Sequence, residues 1–388
     1  MFMRKLLYIA FNNRENTLFG VRAKILSQCR AFCEWGYSVD LIERRGPETV
    51  VVMENGETVT VKARKAGIHN YYVRSVLDKQ YQMLDIRAYV KDRQYDACYI
   101  RYDFSDLGFV SLLKQLRAIC GKIVLELPTY PYDDENKKTA LSRVKLAVDV
   151  YYRKQLHNYV DYISTFYGGN DTIFGIPTIV IPNGFDFSTM SLVHEELPSD
   201  AVHIVAVSSM REWHGYERFL AGMKNYYQQD GKRKIMLHLV GKGREYPKYE
   251  SLTEEYHLSP YVVFHGAMHG ETLDAVYEKC AIGIDSLARH RSGIHTLSSL
   301  KSREYGAKGI PMINSCRIDI LEDSFPYLLR VPADESPIDM EQVLAFYDRC
   351  YGEGRSRVQV GKEIRSYIEA RSGMKETLCR VVEALNER

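Results

Sequence analysis

At 388 residues, with 45% hydrophobic and 26% charged side chains, the chain has the composition of a globular protein and room for two domains with separate cores. Lys and Arg number 52 against 50 Asp and Glu, so no overall basic excess marks a nucleic-acid binder, and any basic surface is local. The eight cysteines, at 29, 33, 98, 120, 280, 316, 350 and 379, lack metal-type spacing. The opening residues turn polar by Asn12, too early for a secretory leader, and no apolar run is long enough to cross a membrane. The expectation is a cytoplasmic protein without disulfides.

Residues 5–10 read as a buried strand, 12–18 as a polar loop and 21–34 as a helix, with Val21, Ile25, Cys29 and Phe32 at helical spacing. Gly36 ends that helix and 38–42 form a second strand, the βαβ opening of a doubly wound domain. Gly20 stands near the first strand's carboxyl end, either as backbone that a ligand approaches or as a plain capping glycine. The chain has no G-x-G-x-x-G, which disfavours a dinucleotide oxidoreductase. Residues 50–61 alternate around Asn55-Gly56, a hairpin signal. Two further buried strands, 97–102 and 122–127, flank a helix over 106–119.

Glu126 opens a run to Glu135 in which Pro128 and Pro131 forbid helix and set an extended loop. That loop lies where open α/β sheets bind ligands, so Glu126 either meets a substrate hydroxyl or belongs to a structural turn. Residues 138–157 then read as one long helix. Leu141, Val144, Val148 and Tyr151 form its apolar stripe, flanked by Lys138, Lys145 and Arg153, with Arg143 and Lys154 beyond. Most such stripes face a core, which is the expectation here; the alternative is peripheral docking on an anionic membrane.

A strand over 176–181 leads to Pro182-Asn183-Gly184-Phe185-Asp186, whose Asn-Gly turn suits a hinge. The domain boundary is therefore placed there, giving 1–184 and 185–372 with a last helix over 373–388. The second domain alternates again: strand 203–207, a turn to Gly215, a helix carrying Tyr216, Phe219, Leu220 and Met223, then strand 235–240 closed by Gly241-Lys242-Gly243. A strand over 262–264, a helix over 271–279 and a strand over 281–285 follow. Residues 338–350 and the stretch from about 359 to the end are helical in pattern.

Between them, a polar loop over 291–295 feeds a short helix opened by Ser299 and stopped by Gly309. Unpaired amides at a helix start, here those of Ser299 and Leu300, suit a phosphate, and Lys301 adds a mobile charge. Glu304 offers two acceptor oxygens of the kind that bind vicinal ribose hydroxyls. The plain alternative is a surface αβ unit with solvated charges.

Leu300-Lys301-x-x-Glu304-Tyr305-x-Ala307-x-Gly309-x-Pro311 resembles the nucleotide-sugar motif of retaining GT-B glycosyltransferases of the family-four type. Pro182-Asn183-Gly184-Phe185-Asp186 and Gly241-x-Gly243 are similar to that family's linker signature and to its glycine pair after the second strand of the donor domain. The resemblance implies two Rossmann-like domains facing a central cleft, with the last helix crossing back to the first. It implies a nucleotide-sugar donor whose ribose meets Glu304 and whose diphosphate meets Arg211, Lys301, the Ser299-Leu300 amides and His214. The family carries a second Glu eight positions before the first, on the sugar; that position is Thr296 here. His214-Gly215 stands where the family has Lys-Gly, and Gly20 and Glu126 match its loops near the cleft.

The implied reaction is transfer to a hydroxyl on a glycan or lipid-linked acceptor of the bacterial capsule type, at the inner face of the membrane. With no Asp-x-Asp in the chain, no metal or other cofactor is expected. Two rivals are a GT-B sugar epimerase and a non-catalytic nucleotide-sugar or glycan-binding relative.

Overall fold

The computed structural model describes residues 3–13, 19–64, 71–133, 140–166, 168–352 and 354–387. Of the loop expected over 12–18, residues 12 and 13 belong to the first strand and 14–18 lie outside the described residues, as do Asp134, Glu135 and Lys138. The chain packs as two compact units, Met1–Gly184 with Met374–Arg388, and Phe185–Gly373.

In the first unit the elements run β1 (Arg4–Asn13), α1 (Phe19–Glu34), β2 (Tyr37–Arg45), β3 (Glu48–Val52), β4 (Thr58–Ala63), α2 (Tyr71–Tyr89), β5 (Tyr95–Arg101), α3 (Leu107–Ile119) and β6 (Cys120–Leu127). They continue with α4 (Ala140–Tyr152), β7 (Tyr162–Thr165), β8 (Thr172–Ile173) and β9 (Ile176–Val180). The sheet order is β4-β3-β2-β1-β5-β6-β7-β9-β8. Its centre is parallel, as crossover helices require, and the β2-β3-β4 edge is antiparallel. The hairpin turn at Asn55-Gly56 forms as expected, with Gly56 at φ +81°.

The second unit comprises β10 (Val202–Val207), α5 (Tyr216–Gln228), β11 (Ile235–Val240), α6 (Tyr246–Glu255), β12 (Val262–Gly266), α7 (Glu271–Lys279) and β13 (Ile282–Ile284). Next come β14 (Thr296–Leu297), α8 (Leu300–Lys308), β15 (Met312–Asn314), β16 (Arg317–Ile318), β17 (Leu328–Arg330), α9 (Met340–Tyr351) and α10 (Arg357–Ser372). Its main sheet, β12-β11-β10-β13-β15-β17, is parallel throughout. Strand order reverses beside β10 and β13, so the loops leaving those two strands border the switch point where such sheets bind ligands. Both units are Rossmann-like, in agreement with the fold read from the alternation.

The periodic stretch to the end of the chain is two helices, broken at Gly373: α10 and then α11 (Met374–Asn386). Leu378, Val381, Val382 and Leu385 of α11 join the core that holds Leu6, Tyr8, Ile25 and Phe32 of the first unit. Burying each such side chain stabilises by about 1.5–3 kcal/mol. Polar ties add to this, from Trp35 Nε1 to the Lys375 carbonyl (3.0 Å) and from Tyr37 to Asn386 (2.9 Å).

Two expectations about the helix after β6 are corrected. Regular α-helix ends at Tyr152, and residues Arg153–Asn158 wind on as a 3-10 helix. Its apolar stripe does not face the core: Leu141 is 50% exposed, Val144 61%, Val148 40% and Tyr151 65%. The reason is Asp149, which is fully buried and accepts from the Ser105 amide (2.6 Å) and the hydroxyls of Tyr102 (2.5 Å) and Tyr132 (2.6 Å). Arg153 closes the same cluster on Asp149 and Asp133. This polar anchor turns the Leu146-Asp149 face inward and the stripe outward.

Candidate functional site

Chain reversals at the carboxyl ends of three strands adjacent in the sheet, β11, β10 and β13, build the site. After β10, Met210 takes φ +37° and the Arg211 amide donates to His214 Nδ1 at 2.8 Å. A 3-10 turn over Glu212–His214 then ends at Gly215, φ +62°, which opens α5. After β11, Gly241 adopts φ +115°; a Cβ there would strike the Ser208 carbonyl, and one on Gly243 would strike that of Ser209. These two glycines therefore let the β11 turn lie directly on the β10 turn. After β13, the Leu287 and Ala288 amides donate to the carbonyls of His214 (2.9 Å) and Trp213 (3.2 Å). That seam brings Arg289 over the Trp213 ring, 5.2 Å from its centroid.

The short helix α8 enters this ground from β14. Ser299 caps it, its Oγ accepting the Lys301 amide at 3.0 Å, and Gly309 stops it in the left-handed region. Arg303, fully buried, binds the Ser299 carbonyl, Ser298 and Asp319, which fastens the helix start to the strand pair β14-β16. Lys301 turns inward: its Nζ lies 3.1 Å from Asp285 Oδ1 and 3.4 Å from Ser286 Oγ. Asp285 is wholly enclosed and also contacts Asn314 (3.5 Å). Burial pushes the Lys301 pKa down, while the Asp285 charge opposes that.

His214 is the buried centre of the cluster, 4% exposed. Burial, then the positive charges of Lys301, Arg289 and Arg211, hold its pKa down to about 2. It is therefore a neutral imidazole, with Nδ1 taken by the Arg211 amide and its proton on Nε2. Burial is the main cause of that suppression; Lys301, Arg289 and Arg211 add to it, with Lys301 itself paired with Asp285. One turn along α8, Glu304 accepts the Tyr277 hydroxyl at 2.6 Å on Oε1. Burial raises the Glu304 pKa against the opposing effects of Tyr277, Lys308 and Lys301.

Arg211, His214, Lys301, Glu304, Ser299, Leu300, Gly241 and Gly243 thus all lie on loops and a helix start at one end of the second unit's sheet. Thr296 is exposed on β14, where it pairs in register with Arg317. Gly20 and Glu126 belong to the first unit. Gly20 is in the first turn of α1. Glu126, on β6, is fully buried and accepts from Gln28 (2.6 Å), Tyr99 (2.9 Å) and Arg101. Burial pushes its carboxyl up, but Arg101, Lys24 and these hydrogen bonds outweigh that and hold it below the usual range. Among the described residues, these partners surround the Glu126 carboxylate, which has no solvent exposure.

Sequence reading missed Asp285, Ser286, Arg289 and Tyr277. A signal existed for Asp285: a lone carboxylate directly after the apolar Ala281-Ile282-Gly283-Ile284, at a strand's carboxyl end. Among the described residues, no three His, Cys, Asp or Glu side chains group as a metal site, and no helix is long and apolar enough to cross a membrane.

No family model matches the chain, and no curated protein does. Solved structures do. A sucrose-phosphate synthase from Thermosynechococcus elongatus matches with a TM-score of 0.62 at 17% identity, over 98% of this chain and 99% of that one. A glycosyltransferase from Rickettsia africae gives 0.61 at 10% identity, over 98% and 97%. HepE from Anabaena, solved in complex with UDP, gives 0.59 at 12%, over 98% and 99%. The fold is that of GT-B glycosyltransferases. At these identities the likeness is one of fold, carried along nearly the whole chain.

Proposed function

We propose that this protein is a retaining glycosyltransferase that moves a hexose from a nucleotide-diphosphate donor to a hydroxyl of a glycan or lipid-linked acceptor. A growing bacterial surface polysaccharide, extended on the cytoplasmic side of the membrane, is the acceptor this reading favours. The observation that carries it is the convergence of Arg211, Arg289 and Lys301 on neutral His214 at the start of α8, with Glu304 one turn beyond. The GT-B fold supports it, as does the motif from Leu300 to Pro311.

In this reading the diphosphate lies on the α8 amides between the three cations, and His214 donates from Nε2. Glu304, oriented by Tyr277, takes the ribose hydroxyls. As the glycosidic bond breaks, negative charge gathers on the leaving diphosphate, and donors already in place stabilise the transition state most. Lys301 and Arg211 do that work, in the position a divalent ion takes in metal-dependent enzymes. The departing phosphate oxygen accepts the acceptor's hydroxyl proton on the same face, so the anomeric configuration is kept. Thr296, in place of the family's sugar-touching Glu, contacts the sugar through a hydroxyl.

The test is incubation with UDP-, GDP- and dTDP-sugars and a panel of glycan and polyprenyl-phosphosugar acceptors, with NMR of the product. A glycoside retaining the donor's anomeric configuration is expected. An inverted product overturns the mechanism; isomerised sugar nucleotide means an epimerase; binding across the panel without turnover means a non-catalytic relative.

A further inference from the structure

A cavity of about 430 Å³ lies beneath the carboxyl end of α2, at the amino end of the first unit's sheet. Small-molecule sites span roughly 300–1,000 Å³. Open α/β sheets bind their main ligand at the strands' carboxyl ends, so this cavity stands at the opposite end of the sheet from such a site.

Paired strands set its floor. Ser38 and Asp40 of β2 lie in register with Lys5 and Leu7 of β1, and Tyr95 opens β5. The Tyr95 hydroxyl donates to Asp40 Oδ2 at 2.8 Å and fixes that carboxylate. Met53, just past β3, adds an apolar patch. Arg93 folds back on the last turn of α2: its Nε donates to the Tyr89 carbonyl at 3.1 Å, and its guanidinium stacks 4.1 Å from the Tyr89 ring centroid. The Tyr89 hydroxyl, enclosed near Asp40 and Tyr95, lacks a well-formed hydrogen bond. Buried polar groups are normally paired, so this one calls for an explanation.

The lining selects the occupant. Asp40 and Asp92 balance Lys5 and Arg93, so no net charge draws an ion. An apolar ligand would cover Ser38 and Asp40 without pairing them, which costs free energy. A neutral molecule dense in hydroxyls meets both conditions. Each hydroxyl donates and accepts; Asp40 and Asp92 accept, Lys5 donates, and Ser38 and Gln94 do both. We propose that this cavity is a carbohydrate site for one or two sugar rings, separate from the donor site of the second unit. It goes beyond the donor-site reading and stands on the first unit alone. A glycan held here stays on the protein between reactions, which raises its effective concentration.

Saturation-transfer NMR of the full chain tests it, with glucose, galactose, mannose, N-acetylglucosamine and maltose as probes. For a ring of about a dozen heavy atoms in an open site, a Kd of about 1 mM is expected. Asp92→Ala with Gln94→Ala should weaken that binding about tenfold. Both side chains are exposed, so an unchanged thermal midpoint serves as the folding control. Asp40→Asn should weaken it as well. Lys301→Ala and Glu304→Ala, in the second unit, should leave it unchanged, which separates this site from the donor-site reading. No saturation transfer to any probe at about 10 mM overturns the proposal. So does binding that survives the Asp92 and Gln94 substitutions or disappears with Lys301→Ala, since the sugar would then sit elsewhere.

Discussion

Lys301 Nζ lies 3.1 Å from Asp285 Oδ1, a pair formed between the first turn of α8 and the end of β13, with Asp285 wholly enclosed. Asp285 holds the ammonium in place and opposes the burial that disfavours its charge. In the proposed reaction it would act through Lys301 as a positioning residue. Asp285→Asn should leave a desolvated ammonium without its counter-charge, at a cost of about 3 kcal/mol for a broken buried pair. Urea unfolding measures that cost. The removal also lowers the Lys301 pKa further, so the alkaline limb of the rate profile should move to lower pH. An unmoved limb would reduce Asp285 to a packing role.

Glu304→Ala should weaken nucleotide-sugar binding about tenfold, since hydrogen bonds to a charged group contribute roughly 1.5–3 kcal/mol. Tyr277→Phe, which removes the 2.6 Å hydrogen bond that orients Glu304, should produce a smaller loss in the same direction. Calorimetry with the folded variants decides. Unchanged affinity in Glu304→Ala would remove the ribose assignment.

Arg211→Ala, Arg289→Ala and Lys301→Ala should lower turnover more than donor affinity, because the leaving group's charge grows as the bond breaks. A separate measurement of Kd and kcat shows the difference. Equal losses in both would place these cations on the ground-state donor only. Chelation with EDTA should leave the rate intact, and a loss restored by added magnesium would contradict a site run on side-chain cations.

Stability should fall as the pH drops below about 6.5. Three imidazoles bridge β10, β11 and β12: His203 Nδ1 lies 2.9 Å from His238 Nε2, and His238 Nδ1 lies 2.9 Å from His265 Nε2. Burial, then the neighbouring His203 and His265, lower the His238 pKa from 6.5 to about 4. Between those values the unfolded chain binds a proton that the folded chain refuses, so the stability present above pH 6.5 is lost on acidification. His214, held at about 2, extends the same loss to lower pH. Urea midpoints taken from pH 7.5 down to 4 should decline, with a shallower slope for His238→Gln. An equal slope would remove His238 from the account.

Local pattern was enough to place β1–β6, β9–β13 and most helices, because buried parallel strands are short apolar runs and amphipathic helices repeat every three to four residues; it did not mark α2, α6, β7, β8 or the two- and three-residue strands β14, β16 and β17. The α8 turn was legible for the same reason: Ser299, Lys301, Glu304 and Gly309 are close in the chain, and capping chemistry is local. Periodicity could mark the stripe Leu141-Val144-Val148-Tyr151 as one helix face. It could not say which way that face points, since this depends on Asp149 finding Tyr102, Ser105 and Tyr132 on other elements. The site's charge balance is non-local in the same sense. Lys301 meets Asp285 across 16 positions and Arg289 reaches Trp213 across 76, through backbone hydrogen bonds between two turns that only the parallel sheet brings together. Sequence by itself determined most of the elements, the fold class and the capped start of α8. Tertiary structure alone decided which cations share one field, that Glu126 is sealed inside a network and that α4 shows its apolar side to solvent, because each depends on partners that chain order does not make neighbours.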